Sequence, residues 1–375
     1  MALYVVCGAP TSCRAESRTS EYDHQMDLTS LILACPRGRY FCASIAHLRH
    51  AGSEKLARGG LATVEETQEI IRATNVTATP LSANELLSTL SHTTSSAQYW
   101  DVPDHDDLVL ADPDVTSLLR PVADEILASP LTQWWGDPVD LDKQHTVQHL
   151  QPDSQQTHAR EPRLTQSTNL DAWFKHVTQR EAGAGRYREE HPNAHIGGDW
   201  WSIPTPSNAL LTTRSITGLG ALELVLKEDP IHSDIARVWA VQIRDTPRIY
   251  EITTPADWVR LVASFPLEVT HTKRDLWGDS TGIQRRWFIP NWAEVANKYD
   301  GVHLSLIGYL STAGIGLTLP FDSSCATVLA GWDPDGTWWL NREAVRIDDQ
   351  SSLWRQLDAQ QWSPDPGSGE YPVIE

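Results

Sequence analysis

Tyr299-Asp300-Gly301-Val302-His303-Leu304-Ser305-Leu306 closes one helix, turns, and enters a strand. Asn291-Trp292-Ala293-Glu294 caps the helix that ends near Tyr299, and Asp300-Gly301 makes the turn. Val302–Ile307 then reads as a strand, with Val302, Leu304 and Leu306 on one face and His303, Ser305 and Ile307 on the other. Two polar groups on a face shared with Ile307 suggest a half-buried position beside a cleft. His303 there acts as acid, base or ligand donor, or it is a core histidine satisfied by backbone. Ser305 binds phosphate or ribose, or is satisfied in the same way.

Outward from this stretch, short strands alternate with helices. Strands are expected at Ala209–Arg214, Arg237–Ile243 and Arg248–Ile252, the last two split by Asp245-Thr246-Pro247. Helices are expected at Leu219–Lys227 and from Thr254-Pro255-Ala256-Asp257 to about Ser264. A basic, glycine-containing loop carries His271, Lys273, Arg274, Arg285 and Arg286, and Asp333-Pro334-Asp335-Gly336 reads as a hairpin turn between Thr327–Trp332 and Thr337–Leu340.

The first half reads as mainly helical or α/β. Leu3–Val6 could be a strand, Gly52–Gly60 a loop, and Thr63-Val64-Glu65-Glu66 and Ser82-Ala83-Asn84-Glu85 are capping boxes. Val115–Ala128 is helical, with Pro121 as a kink or start. Residues 151–168 are polar and aperiodic, Leu170–Gln179 is a short helix, and Arg180–Gly198 is a mobile connection. The expected fold is α+β: a C-terminal mixed sheet with short helices after a mainly helical N-terminal half. The expected divisions are 1–150, a linker and loop at 151–198, a catalytic region at 199–345, and a tail at 346–375.

Composition narrows the function classes. The 375 residues are 40% hydrophobic and 21% charged, ordinary for a globular chain, with a formal net charge of −19. Residues 100–142 hold eleven acidic side chains against Arg120 alone. That balance counts against a nucleic-acid partner, with tRNA the exception if a local basic groove exists. The apolar runs are too short to span a bilayer, so no membrane partner is expected. The start lacks the basic region of a secretory signal. Cys7, Cys13, Cys35, Cys42 and Cys325 are odd in number, without C-x-x-C spacing, so no metal and a cytoplasmic, reduced setting are expected. There is no Walker A or G-x-G-x-x-G motif. Tryptophan is abundant, with 16 residues and none before Trp100.

Several side chains are candidates for chemistry. Trp201, next to Trp200, could wall a stacking site. Thr212, Thr213 and Arg214 end a strand, where Arg214 could hold a phosphate with two hydrogen bonds or form a surface ion pair. Glu223 is an exposed helix residue or a buried carboxyl of shifted pKa. Glu251 alternates outward and reads as surface or edge. Arg285 and its basic neighbours could grip a pyrophosphate.

Four stretches carry a resemblance: ALLTTRSITGLG at 209–220, RIYEITTPADWVRLV at 248–262, PNWAEVANKYDGVHLSLIG at 290–308 and AGWDPDGTWWL at 330–340. They resemble a broad set of uncharacterised actinobacterial proteins. The order of elements over residues 199–341 is similar to the ADP-ribosyltransferase superfamily, including its NAD-degrading RES branch. The resemblance implies Glu223 as the helix glutamate and Ser305 as the strand serine. Thr212 and Thr213 take the Ser-Thr-Ser-like position, and Arg186 or His195 the first-strand residue. No Glu-x-Glu triplet is present. The implied activity is a transferase or glycohydrolase that displaces nicotinamide from NAD or a related nucleotide. Two alternatives stand beside it: a specialised-metabolism transferase using another activated donor such as aminoacyl-tRNA, and a non-catalytic binding protein.

Overall fold

In the computed structural model, which describes residues 27–51, 63–74, 81–150, 169–205, 209–230, 233–244, 246–357 and 361–365, the strand through His303 belongs to a large mixed sheet. The expectations for Leu3–Val6, Gly52–Gly60, 151–168, Cys7, Cys13 and Asp245 lie outside the described residues. The chain is mixed α+β, helical in its N-terminal part and sheet-rich in its C-terminal part.

Among the described residues of the first half, seven helices, α1 to α7, span Leu28–Ala34, Pro36–Ala51, Val64–Ala73, Ala83–Ser95, His105–Leu110, Pro113–Leu118 and Arg120–Ala128. Both capping boxes form: Thr63 and Glu66 open α3, and Ser82 and Glu85 open α4. The acidic window has uses beyond solvation. Asp104 and Asp112 cap α5 and α6, where carboxylates meet the positive end of the helix dipole. Asp107 pairs with buried Arg37 at 2.7 Å, and Glu125 with Arg49 at 2.9 Å.

The rest runs β1 (Gln144–Leu150), α8 (Leu170–Glu190), β2 (Leu210–Ile216), β3 (Gly220–Ala221), β4 (Ile235–Ile243), β5 (Ile249–Ile252), α9 (Pro255–Ser264), β6 (Pro266–Glu268), α10 (Thr270–Thr281), β7 (Arg286–Pro290), α11 (Trp292–Lys298), β8 (Gly301–Leu304), α12 (Leu306–Thr312), β9 (Leu317–Leu319), β10 (Asp322–Thr327), β11 (Gly336–Trp339), β12 (Val345–Gln356) and β13 (Trp362–Pro364). The large sheet is ordered β13-β12-β4-β1-β2-β11-β8-β5, with β3 on β2; a smaller sheet is ordered β6-β7-β10-β9. β5 and β8 are parallel, as are β7 and β10. β1 lies between β4 and β2, so the first 150 residues supply a central strand. β12, from the expected tail, pairs along β4.

Alternation sorts the sheet faces. Leu211, Trp338 and Val302 pair across β2, β11 and β8 and pack into the core shared with the helices. Thr212, Thr337 and His303 pair on the opposite face. A second apolar cluster, of Leu210, Val241, Trp339 and Val345, is formed by strands of the same sheet. Thirteen of the sixteen tryptophans are buried; Trp100, Trp134 and Trp201 are the partly exposed ones.

Five sequence expectations change. The strand through His303 ends at Leu304, because Ser305 takes an N-cap conformation and its hydroxyl accepts from Gly308 N at 3.0 Å, starting α12. Gly308 is required by close approach: a Cβ there would lie 2.3 Å from the Ile252 carbonyl oxygen. Leu219–Lys227 is not a helix but β3 followed by a 3-10 turn at Leu222–Leu224. The basic loop is largely a helix, α10, ended by Gly282 in the left-handed region. Residues 170–190 form one 21-residue helix, so no loose connection begins at Arg180. Finally, β11 joins β2 and β8 rather than a hairpin partner, while Thr327 ends β10 in the small sheet.

Candidate functional site

Parallel pairing of β5 with β8 sets Glu251 beside His303. His303 Nδ1 lies 2.6 Å from Glu251 Oε2, and Nε2 lies 3.4 Å from Asp335 Oδ1, an ion-pair contact without hydrogen-bond alignment. Asp335 Oδ1 in turn accepts from Arg214 Nε at 2.7 Å, and the guanidinium sits 4.7 Å over the Trp134 ring. Glu251 Oε1 also accepts from Val139 N at 3.2 Å. Four groups of alternating sign thus run Arg214–Asp335–His303–Glu251. Burial would depress the His303 pKa, but the two carboxylates reverse that and raise it to about 9. Burial works to raise the Asp335 pKa, and His303 and Arg214 overcome it, leaving the carboxyl below its ordinary value. Asp335 holds φ 56°, the left-handed region that a non-glycine residue enters at a cost of about 1–3 kcal/mol; its two charged partners fix it there.

His303 is therefore fully buried, with Nδ1 against Glu251 and Nε2 facing Asp335 without a hydrogen bond. It cannot trade a proton with a ligand, and the open face expected for His303 and Ser305 does not exist. Glu251, expected at the surface or an edge, lies on the edge strand β5 and is the half-buried partner of His303.

A cleft of about 300 Å³ lies on the other side of the sheet, walled by Trp201, Trp338 and Leu211, with Glu223, Lys227 and Asp333 among its polar lining. β1 and β2 pair at Gln144–Arg214 and His145–Thr213; beyond that register the Glu223 carboxylate accepts from Val147 N at 3.3 Å. Thr213 Oγ1 accepts from Glu223 N at 3.0 Å. Lys227 Nζ reaches Glu223 Oε1 at 3.3 Å and Asp333 Oδ2 at 3.1 Å. Glu228 accepts from Tyr99 Oη at 2.8 Å and from Gly331 N at 2.7 Å. Burial lifts the Glu223 carboxyl to about 7 against the opposing pull of Lys227, and burial lifts Glu228 to about 8. For Lys227, burial opposes the charge, and Asp333 and Glu223 outweigh it, so the ammonium persists. A carboxyl titrating near neutrality inside an aromatic cleft is the kind of group that serves acid, base or electrostatic roles.

No family model, curated protein or solved structure matches the chain.

The nominated residues therefore divide by position. Glu223 and Trp201 line the cleft together, and Thr213 supports Glu223 from behind. Thr212 points to the other face, donating to Gln144 Oε1 at 2.5 Å and accepting from Trp339 Nε1 at 2.8 Å. Arg214 is committed to Asp335, so it is not a free phosphate reader. Ser305 is a buried helix cap. Arg285 is exposed just before β7, away from the cleft lining. Arg186 lies on α8 and His195 pairs with Asp279, so neither occupies a strand. Three of the basic side chains are paired with carboxylates: Lys273 is buried on Asp199 at 2.5 Å, Arg274 contacts Asp275 at 3.3 Å, and Arg286 contacts Glu268 at 2.5 Å. Among the described residues no group of His, Cys, Asp and Glu is placed to hold a metal ion, and no helix is long and apolar enough to cross a membrane.

Sequence reasoning missed Lys227, Glu228 and Asp333. The Glu223–Lys227 spacing of four was a usable signal; Asp333 was hidden inside what reads as a turn.

Proposed function

We propose that the chain is a transferase or glycohydrolase acting on NAD or a related nucleotide by nicotinamide displacement, on an ADP-ribosyltransferase-like arrangement of its C-terminal part. The observation that carries this reading is the Glu223 carboxyl, buried beside Trp201 in an aromatic cleft. The pyridinium of NAD is a flat cation, matched by a tryptophan face and by surrounding carboxylates. As the bond from ribose to nicotinamide breaks, its electron pair leaves with nicotinamide and positive charge grows on the ribosyl carbon. The Glu223 carboxylate would face that charge, already oriented by Val147 N and Lys227, which is how preorganised groups lower a barrier. Water or an acceptor nucleophile then bonds to the ribosyl carbon.

The test is nicotinamide release from NAD by the full chain. Turnover is expected to rise with pH through about 7 as Glu223 ionises. Glu223→Gln should reduce it by about 10²–10³. Neither turnover nor a thermal shift with NAD would end this reading.

A second reading, a non-catalytic binding protein, is favoured by the full packing of His303 and Ser305; it predicts NAD binding without nicotinamide release. The aminoacyl-tRNA alternative needs a convergent basic groove, and the pairing of Lys273, Arg274 and Arg286 with carboxylates counts against it.

A further inference from the structure

A second cleft, of about 330 Å³, opens between α8 and α10 and shares Trp201, Ile203 and Thr205 with the Glu223 cleft. One face of α8 forms its wall, with Trp173, His176, Val177 and Arg180 at helical spacing. Its charges differ in sign from those next door. The Glu223 cleft carries Glu223, Glu228, Asp229 and Asp333 against Lys227, whereas this one carries Arg180 and Lys273 against Asp199. Asp199 is taken first by Lys273, at 2.5 Å, and the ammonium also donates to the Asp199 and Trp201 carbonyls. Arg180 is left with a long 3.8 Å contact to the same carboxylate and keeps 42% of its side chain exposed. Its guanidinium lines the cleft from α8, with the exposed His176 imidazole four residues earlier.

Resting on the nucleotide reading above, we infer that the cleft between α8 and α10 holds the phosphate-bearing half of the ligand. Arg180 and His176 contact the phosphates, and Trp201 divides this subsite from the one that takes the pyridinium. Charge complementarity dictates the assignment. Phosphates placed over Glu223, Glu228, Asp229 and Asp333 would meet like charge, whereas Arg180 offers two parallel donors to phosphate oxygens. Lys273 is buried and fully engaged, so it sets the local potential without contacting the ligand.

The experiment titrates the full chain by calorimetry with two probes. ADP-ribose has the phosphates and no pyridinium; nicotinamide riboside has the pyridinium and no phosphate. Arg180→Glu and, on the same exposed helix face, His176→Glu should each weaken ADP-ribose binding about tenfold or more, as expected for loss of a charged hydrogen bond. Both should leave nicotinamide riboside binding unchanged, while Glu223→Gln should weaken nicotinamide riboside and spare ADP-ribose. ADP-ribose binding that both α8 variants leave intact, or its absence in the wild type, overturns the subsite; the pyridinium reading survives if nicotinamide riboside still binds in a Glu223-dependent way. ADP-ribose binding sensitive to Arg180, with no binding of nicotinamide riboside, supports the subsite and removes the displacement reading instead.

Discussion

Replacing His303 with glutamine isolates the energetics of the buried charge chain. The imidazole is fully buried and its pKa is raised from an ordinary 6.5 to about 9. A group whose folded-state pKa is raised contributes stability that is fully present below the unfolded value and is lost as pH rises through the folded one. At about 1.4 kcal/mol for each pH unit, the interval corresponds to about 3 kcal/mol. The wild type should therefore lose about 3 kcal/mol from this group between pH 6 and pH 9.5, and His303→Gln should lose none of it. Glu223, at about 7, and Glu228, at about 8, titrate in the same window. Their raised pKa values also make stability fall with rising pH, but they do so in both proteins and cancel in the difference. The assay is urea unfolding followed by tryptophan fluorescence at the two pH values, reading the stability gap between wild type and variant. The gap should be widest at pH 6 and narrow by about 3 kcal/mol at pH 9.5. A gap that changes by less than about 0.5 kcal/mol would show that His303 is neutral in the fold, and the alternating-charge account of Arg214, Asp335, His303 and Glu251 would be wrong.

Two further outcomes follow from the segment after His303. Ser305→Ala removes the α12 cap and should cost about 1 kcal/mol in thermal or urea unfolding, with nicotinamide release per folded molecule unchanged; a selective loss of turnover would make Ser305 a site residue after all. Gly308→Ala should cost about 3 kcal/mol or more, because its Cβ would press on the Ile252 carbonyl oxygen and α12 would have to move away from β5; stability within about 0.5 kcal/mol of wild type would refute that close approach.

Local grammar carried much of the architecture. Thr63, Ser82 and Thr254 all cap the helices their spacing announces, since a capping box involves residues only three apart. Val302, Leu304 and His303 take opposite faces as alternation requires. Ser305 did not, because a hydroxyl that reads as the end of a strand reads equally well as the start of a helix. The choice was made by Gly308, which lets α12 lie against Ile252. The Asp333–Gly336 turn was legible as a turn, but not as the element that sends Asp333 to Lys227 and Asp335 to His303.

For the candidate site, the sequence by itself determined the residue types: a glutamate in apolar surroundings, a tryptophan before the first strand of the second half, and a histidine next to an aspartate–glycine turn. Only the tertiary structure decided which of them meet. Glu251 reaches His303 across 52 residues through parallel strand register, and Glu223 reaches Val147 across 76 where β1 and β2 part. Such pairings depend on strand order, which local propensity does not encode. Burial then turns an ordinary glutamate into a carboxyl titrating near neutrality, while the two carboxylates beside the buried histidine raise its pKa against that same burial.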